Sequence, residues 1–329
     1  MTLLLEIKDL MTAFDTAQGR IKAVDGVSLK INSGETLGIV GESGCGKTML
    51  ALSIMRLIPA NGRIINGEIL FSSRDLLKIS AEEMRAKRGS EISMIFQEPM
   101  TSLNPVFRVG EQIAEAIRLH QHLPAKKAME LSIEQLREVG ISDPQKRARD
   151  YPHNLSGGMR QRVMIAMAMS CYPKLLLADE PTTALDVTIQ AQILDLISNL
   201  KQKNKMTVVL ITHDLGVIAQ AAEKVAVMYA GKIVESSAVE EIFANPLHPY
   251  TQGLLESIPA RCGQSLEKGN YLKTIPGSVP SLYNIAPGCR FYDRCSYADE
   301  ECARKEPPLA EIEPGHLVSC WKYSAKKNN

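Results

Sequence analysis

Apolar positions along this chain follow two rhythms, and the switches between them outline the fold. Short alternating or continuous runs predict strands over 3–8, 25–32 (Val27, Leu29, Ile31), 67–72 and 91–96. Thr36-Leu-Gly-Ile-Val-Gly41 reads as a buried strand, and 47–57, with Met49, Leu50, Leu52, Ile54 and Met55, as a buried helix. From about 109 to 140 the spacing is helical and amphipathic (Ile113, Ala116, Ile117; Leu131, Leu136, Val139). A methionine- and alanine-rich helix opened by Ser156 covers 156–171. Strands at 174–178, 207–212 and 225–229 then alternate with helices at 186–200 and 215–222. Such alternation gives an α/β fold with a largely parallel sheet. The helical stretch 100–171 interrupts it and is expected as a separate lobe. Beyond about 245, prolines such as Pro246, Pro249, Pro276 and Pro287 break the regularity, and 258–285 reads as a linker or irregular wrap.

Composition narrows the classes. The chain has 329 residues, room for two modest domains or one large one with an appendage. With 38 basic and 37 acidic residues its net charge is +1, which gives no support to a general nucleic-acid binder. No apolar run is long enough to span a membrane. The first residues, Met-Thr-Leu-Leu-Leu-Glu-Ile-Lys-Asp, lack the basic start of a signal peptide. A cytosolic chain is expected, reaching a membrane only through a partner. Of seven cysteines, Cys45, Cys171 and Cys262 are scattered, while Cys289, Cys295, Cys302 and Cys320 cluster near the end. In a reducing compartment a cluster favours metal over disulfides.

Residues 41–48, Gly-Glu-Ser-Gly-Cys-Gly-Lys-Thr, complete the pattern Gly-x-x-x-x-Gly-Lys-Ser/Thr. Gly41, Gly44 and Gly46 let the backbone curl so that N–H groups, with those of Ser43 and Cys45, face phosphate oxygens. Lys47 reaches the β- and γ-phosphates, and the Thr48 hydroxyl can ligate Mg²⁺. Leu175-Leu-Leu-Ala-Asp179-Glu180 is an apolar strand ending in two carboxylates: Asp179 is suited to Mg²⁺, and Glu180 to orienting or deprotonating an attacking water. Ser156 caps a helix whose first residues, Gly157 and Gly158, bare its amides, which makes a second anion site.

The ordered set of motifs resembles the ATP-binding cassette ATPases. Leu155-Ser156-Gly157-Gly158-Met159-Arg160-Gln161 is similar to their signature, Gln97 in Ile95-Phe96-Gln97-Glu98-Pro99 to the Q-loop, Ala184-Leu185-Asp186 to the D-loop, and His213 in Ile211-Thr212-His213-Asp214 to the switch histidine. The resemblance, over roughly 3–255, implies a P-loop NTPase cassette with a RecA-like core, an antiparallel β lobe and a helical lobe at about 100–171. It implies ATP hydrolysis with Mg²⁺ held by Thr48, Asp179 and Gln97, and catalysis by Glu180, Gln97 and His213. It also implies head-to-tail closure on ATP, in which Ser156, Gly157, Gly158 and Asp186 of one subunit face the phosphate loop of another. Phe14 is the candidate to stack on adenine.

Later segments resemble the oligopeptide and dipeptide importer branch: His248-Pro249-Tyr250-Thr251, Thr274-Ile275-Pro276-Gly277, Gly288-Cys289-Arg290-Phe291, and Met100-Thr101-Ser102-Leu103-Asn104-Pro105 after the Q-loop. That implies a cassette over 1–257 and an extension over 258–329. The partners implied are a second ATPase subunit in an expected heterodimer, two membrane permeases, and a periplasmic or surface peptide-binding protein. The chain would sit at the cytoplasmic face of the membrane, held by the permeases. Another cargo (nickel, a glutathione-like peptide, haem) and a soluble cassette ATPase outside transport are the alternatives. Cys-x5-Cys-x6-Cys-x17-Cys is wider than the Cys-x2–4-Cys pairs of zinc ribbons. A 4Fe-4S iron–sulfur cluster, which some relatives in this branch carry, is the expectation; zinc and free thiols stay open.

Overall fold

A computed structural model describes residues 2–97, 102–183, 185–258, 274–283 and 285–324. Glu98, Pro99, Met100 and Thr101 after the Q-loop glutamine, Ala184 of the D-loop segment, and Cys262 lie outside the described residues. Along the chain run the strands β1 (Leu3–Thr16), β2 (Gly19–Asn32), β3 (Thr36–Val40), β4 (Gly62–Phe71), β5 (Arg74–Asp75), β6 (Ile92–Ile95), β7 (Leu175–Asp179), β8 (Thr207–Thr212), β9 (Lys224–Tyr229), β10 (Lys232–Ala238), β11 (Ala310–Glu313) and β12 (His316–Val318). Among the described residues no helix is long and apolar enough to cross a membrane.

The chain divides into two compact units. One holds residues 78–211 with short pieces near 4 and 32–35. Its strands β6, β7 and β8 pair in parallel, with Ile95 opposite Ala178 and Asp179 opposite Ile211. Every residue of these strands is buried, as a parallel sheet covered on both faces requires. The apolar period seen over 109–140 is two helices, Val109–Gln121 and Ala125–Glu138. The first ends at His122 in a left-handed conformation, and Pro124, which lacks an N–H, starts the second. The helix Gly157–Met169 packs on both of these and on β6. The helical stretch is therefore not separate from this unit's strands: its last helix is shared with them.

The other unit holds 5–31, 36–77 and 212 onward. One of its sheets has the order β2-β1-β4-β5, with β1 and β4 antiparallel from Leu5–Phe71 to Phe14–Gly62. In the second, β3 and β9 are parallel (Gly38 opposite Val225), and β9, β10, β12 and β11 continue antiparallel. The terminal hairpin continues this sheet, because β12 pairs with β10 at Glu235–Val318. Glu235 is fully buried, and its carboxylate accepts the amides of Leu247 (2.6 Å) and His248 (3.0 Å) and lies 2.8 Å from His316 Nε2. Three partners on two segments make this carboxylate, itself on β10, the knot between that strand, the Pro249–Glu256 helix start and the terminal hairpin.

Glu235→Leu is therefore expected to destabilise the protein by about 3–5 kcal/mol, the usual result of stripping one partner from a buried charge network. Urea unfolding checks this, and a loss under about 1 kcal/mol would show that the network does not hold the hairpin.

Candidate functional site

In the second unit, the loop after β3 is shaped by close backbone contacts. A Cβ on Gly41 (φ +155°) would lie 2.1 Å from the Met228 carbonyl oxygen, and one on Gly46 (φ +104°) 2.1 Å from that of Ala23. No side chain other than hydrogen fits either place. Ser43 and Gly44 are exposed at the crest, while Cys45 is fully buried and burial pushes its thiol pKa up. The helix Lys47–Met55 starts at Gly46 without a side-chain cap, so its first amides are left for a ligand. Lys47 is 5% exposed, and its Nζ donates to the carbonyls of Gly41 (2.7 Å) and Glu42 (3.1 Å). Thr48 is half-buried in the first turn.

His213 of the same unit is exposed just after β8. The next residue, Asp214, caps the helix Leu215–Ala221 by accepting from Gly216 N (2.7 Å). Phe14 is 8% exposed, and a Cβ on Gly62 would fall 2.5 Å from its ring.

The first unit carries the carboxylates. Asp179 ends β7 and is 1% exposed. Glu180 follows in a left-handed conformation (φ +45°), costly for a residue with a side chain, and its amide donates to Ile211 O (2.8 Å). Its Oε2 accepts from Gln97 Nε2 (3.2 Å) and Thr183 Oγ1 (2.8 Å). Thr183 was not singled out by the sequence, since only the fold brings it to this oxygen. Ser156 accepts from Met159 N (3.3 Å) and caps its helix, as expected. A Cβ on Gly157 would meet nothing within 4 Å, so that helix end is open. Gly158 faces Ile189, and buried Gln161 donates to Pro181 O (2.6 Å), which ties this helix to the segment after Glu180. Asp186 is exposed and caps the helix Val187–Asn204 through Ile189 N (2.9 Å).

Back in the second unit, Cys289, Cys295, Cys302 and Cys320 line one cavity of about 260 Å³, with His248 and Trp321 in its wall. No disulfide joins these four, and Cys289 N donates to Cys302 O (2.8 Å). Burial pushes all four thiols up, Cys289 and Cys320 to about 11. Burial also drives His248 down to about 4, which keeps its Nδ1 free to accept the Tyr250 amide (3.1 Å).

Comparison with known proteins agrees with these two halves. Residues 24–183 match the family model described as ABC transporter, and 234–302 match that for the oligopeptide/dipeptide transporter C-terminal region. The chain is 52% identical, over 99% of its length and 97% of the relative's, to the "Probable peptide ABC transporter ATP-binding protein y4tR" of Sinorhizobium fredii. It is 50% identical to the oligopeptide transport ATP-binding protein AppD of Bacillus subtilis, covering 98% of each chain. It is 48% identical to OppD of Escherichia coli, covering 97% of this chain and 93% of that one. Among solved structures, the dimeric ATP-binding cassette MJ0796 bound to ADP and Pi aligns with TM-score 0.65 and 26% identity, over 72% of this chain and 99% of its own.

An alanine at Gly46 would combine positive φ with a clash, each step of about 1.4 kcal/mol being tenfold in affinity. Gly46→Ala is expected to weaken nucleotide binding at least about tenfold. Titration with a fluorescent ATP analogue checks this, and wild-type affinity would mean that the loop relaxes away from Ala23.

Proposed function

The chain belongs to the ATP-binding cassette family, and we propose that it is the ATP-hydrolysing subunit of a di- or oligopeptide importer. Its likeness to peptide-transport ATP-binding proteins along almost its whole length carries the cargo class. The carboxylate arrangement supports the chemistry. Glu180 is held at its amide by Ile211 and at its carboxylate by Gln97 and Thr183, so Oε1 and Oε2 are aimed before any water arrives. In this reading Gly41 to Thr48 cradle the phosphates and Lys47 turns its ammonium to the β- and γ-oxygens. Thr48, Asp179 and Gln97 are the residues that would hold Mg²⁺, which would neutralise charge on the phosphates. Glu180 orients a water for attack on the γ-phosphorus as the bond to the β-phosphate oxygen breaks, releasing ADP and phosphate. His213 contacts the γ-phosphate.

The open N-terminus at Ser156, Gly157 and Gly158, together with Asp186, serves the nucleotide of a second ATPase subunit in a head-to-tail pair. Val106, Phe107 and Leu119 are 71%, 52% and 61% exposed, an apolar surface suited to a permease segment. The chain then works at the cytoplasmic face of a membrane, and an external binding protein meets the peptide.

The four thiols fit a 4Fe-4S cluster better than zinc. All four line one cavity of about 260 Å³, and their Cys-x5-Cys-x6-Cys-x17-Cys spacing is wider than the close ligand pairs of zinc ribbons. Cys289, Cys295, Cys302 and Cys320 would hold the cluster, which would cross-link a lobe that has little core of its own.

Glu180→Gln is expected to keep ATP-dependent pairing while phosphate release falls at least about 100-fold; size-exclusion chromatography with a phosphate assay checks both. Rapid turnover in that variant would remove Glu180 from the role. For the cluster, anaerobically purified protein should absorb broadly near 400 nm and contain about four irons per chain. Colourless protein with zinc or no metal would overturn that assignment and leave the ATPase reading standing.

A further inference from the structure

One short turn joins the thiol cavity to the phosphate loop. In Cys289–Cys295, Tyr292 N donates to Cys289 O (3.0 Å), Arg294 N to Phe291 O (3.0 Å) and Cys295 N to Tyr292 O (3.2 Å). The two cysteines line the cavity. The residues between them meet the nucleotide side of the unit. Arg294 spans the Glu42 carboxylate with both terminal nitrogens, Nη1 to Oε2 at 2.6 Å and Nη2 to Oε1 at 2.9 Å. Its Nε donates to Pro276 O (2.8 Å), and its Nη1 reaches the Tyr229 hydroxyl (3.3 Å). The Arg294 side chain is 5% exposed, so this fork is fixed rather than one of many solvent-facing rotamers.

Glu42 is the residue after Gly41, the first of the loop. Its amide donates to the Tyr250 hydroxyl (2.9 Å), and its carbonyl accepts from Lys47 Nζ (3.1 Å). All three of its polar handles are therefore held, one by the phosphate-loop lysine itself. Phe291 fills the space between these contacts: it is 3% exposed and stacks edge-on against Tyr229 (5.3 Å) and tilted against Tyr250 (5.5 Å). Arg290 pairs with Asp25 and donates to Ala230 O, beside Gly231, whose amide donates to Cys45 O (2.8 Å).

We propose that Arg294 is a positioning residue for the phosphate loop, fixing its leading edge through Glu42, and that the occupant of the thiol cavity sets nucleotide affinity through this contact. The second clause rests on the cavity being a cluster site. The first stands on the loop alone. A lysine cannot replace the fork, because a point charge spans one oxygen at a time.

The test measures MgADP affinity of the full-length chain by equilibrium titration. Arg294→Gln is expected to weaken binding about tenfold, the scale of one lost charge-assisted contact. Arg294→Lys should recover part of this, and Glu42→Gln combined with Arg294→Gln should be no weaker than Arg294→Gln alone. Ser319→Ala, which cuts a hydrogen bond to Pro307 O (2.7 Å) in the same lobe, should bind like wild type. Wild-type affinity in Arg294→Gln, additive effects in the double variant, or an equal loss in Ser319→Ala would each overturn the positioning role. Should Arg294→Gln not fold, Arg294→Lys and Glu42→Gln carry the same comparison. Chelating iron from anaerobic protein should weaken MgADP binding in wild type and leave Arg294→Gln unchanged. An effect of Arg294→Gln in protein that never holds iron would retain the positioning role and discard both the cluster and its influence.

Discussion

Two backbone carbonyls, of Ala23 and Met228, give the phosphate loop its shape. They stand where a Cβ on Gly46 or Gly41 would be, so the loop is moulded by neighbouring strands and not by its own preference alone. Met228 is delivered by β9, whose parallel pairing with β3 fixes where the loop leaves the sheet. Ala23 is delivered by β2. Once the loop is pressed into this form, the helix Lys47–Met55 begins with bare amides, and Lys47 donates to the loop's own carbonyls. Binding chemistry here is a by-product of close packing, because the same contacts that exclude a side chain orient the donors.

The carboxylate half solves its problem by the opposite means. Glu180 carries a side chain in a conformation that favours glycine, and glycine would relieve the strain while removing the carboxylate to which the proposed hydrolysis assigns the water. Three hydrogen bonds, from its amide to Ile211 and to its carboxylate from Gln97 and Thr183, hold it there. Strain is tolerated at the end of β7 because every neighbouring position of β6, β7 and β8 is buried and cannot yield.

The phosphate loop, the signature serine and the carboxylate strand were legible because each is written in adjacent residues with a physical requirement at each place. The parallel strands were legible as continuous apolar runs. What escaped was written across the chain. β10, Lys-Ile-Val-Glu-Ser-Ser-Ala, reads as a polar segment, because the partners that permit Glu235 to be buried are Leu247, His248 and His316. The terminal hairpin was missed for the same reason: β12 has three residues, too few for a period, and exists by pairing with β10. Phe14 shows the reverse case: an aromatic before the loop suggests a base platform, and only the strand register shows that it stands opposite Gly62, largely buried.

Besides the pairing of β12 with β10, ions and rings join the C-terminal lobe to the rest of its unit. Arg294 meets Glu42, Arg290 meets Asp25, and Phe291 packs among Tyr229, Tyr250 and His248. Burial alone would raise the Asp25 pKa, but Arg290 and Lys232 outweigh it and leave the carboxyl below its ordinary range. An apolar interface of the same size would hold the lobe at least as firmly, since taking two charges from water consumes most of their attraction. What ions add is direction: a guanidinium fork accepts a carboxylate in one plane and one register, and an aliphatic contact slides. A join that must only hold has no need of that geometry. One that must set the place of residue 42, next to the first glycine of the phosphate loop, does.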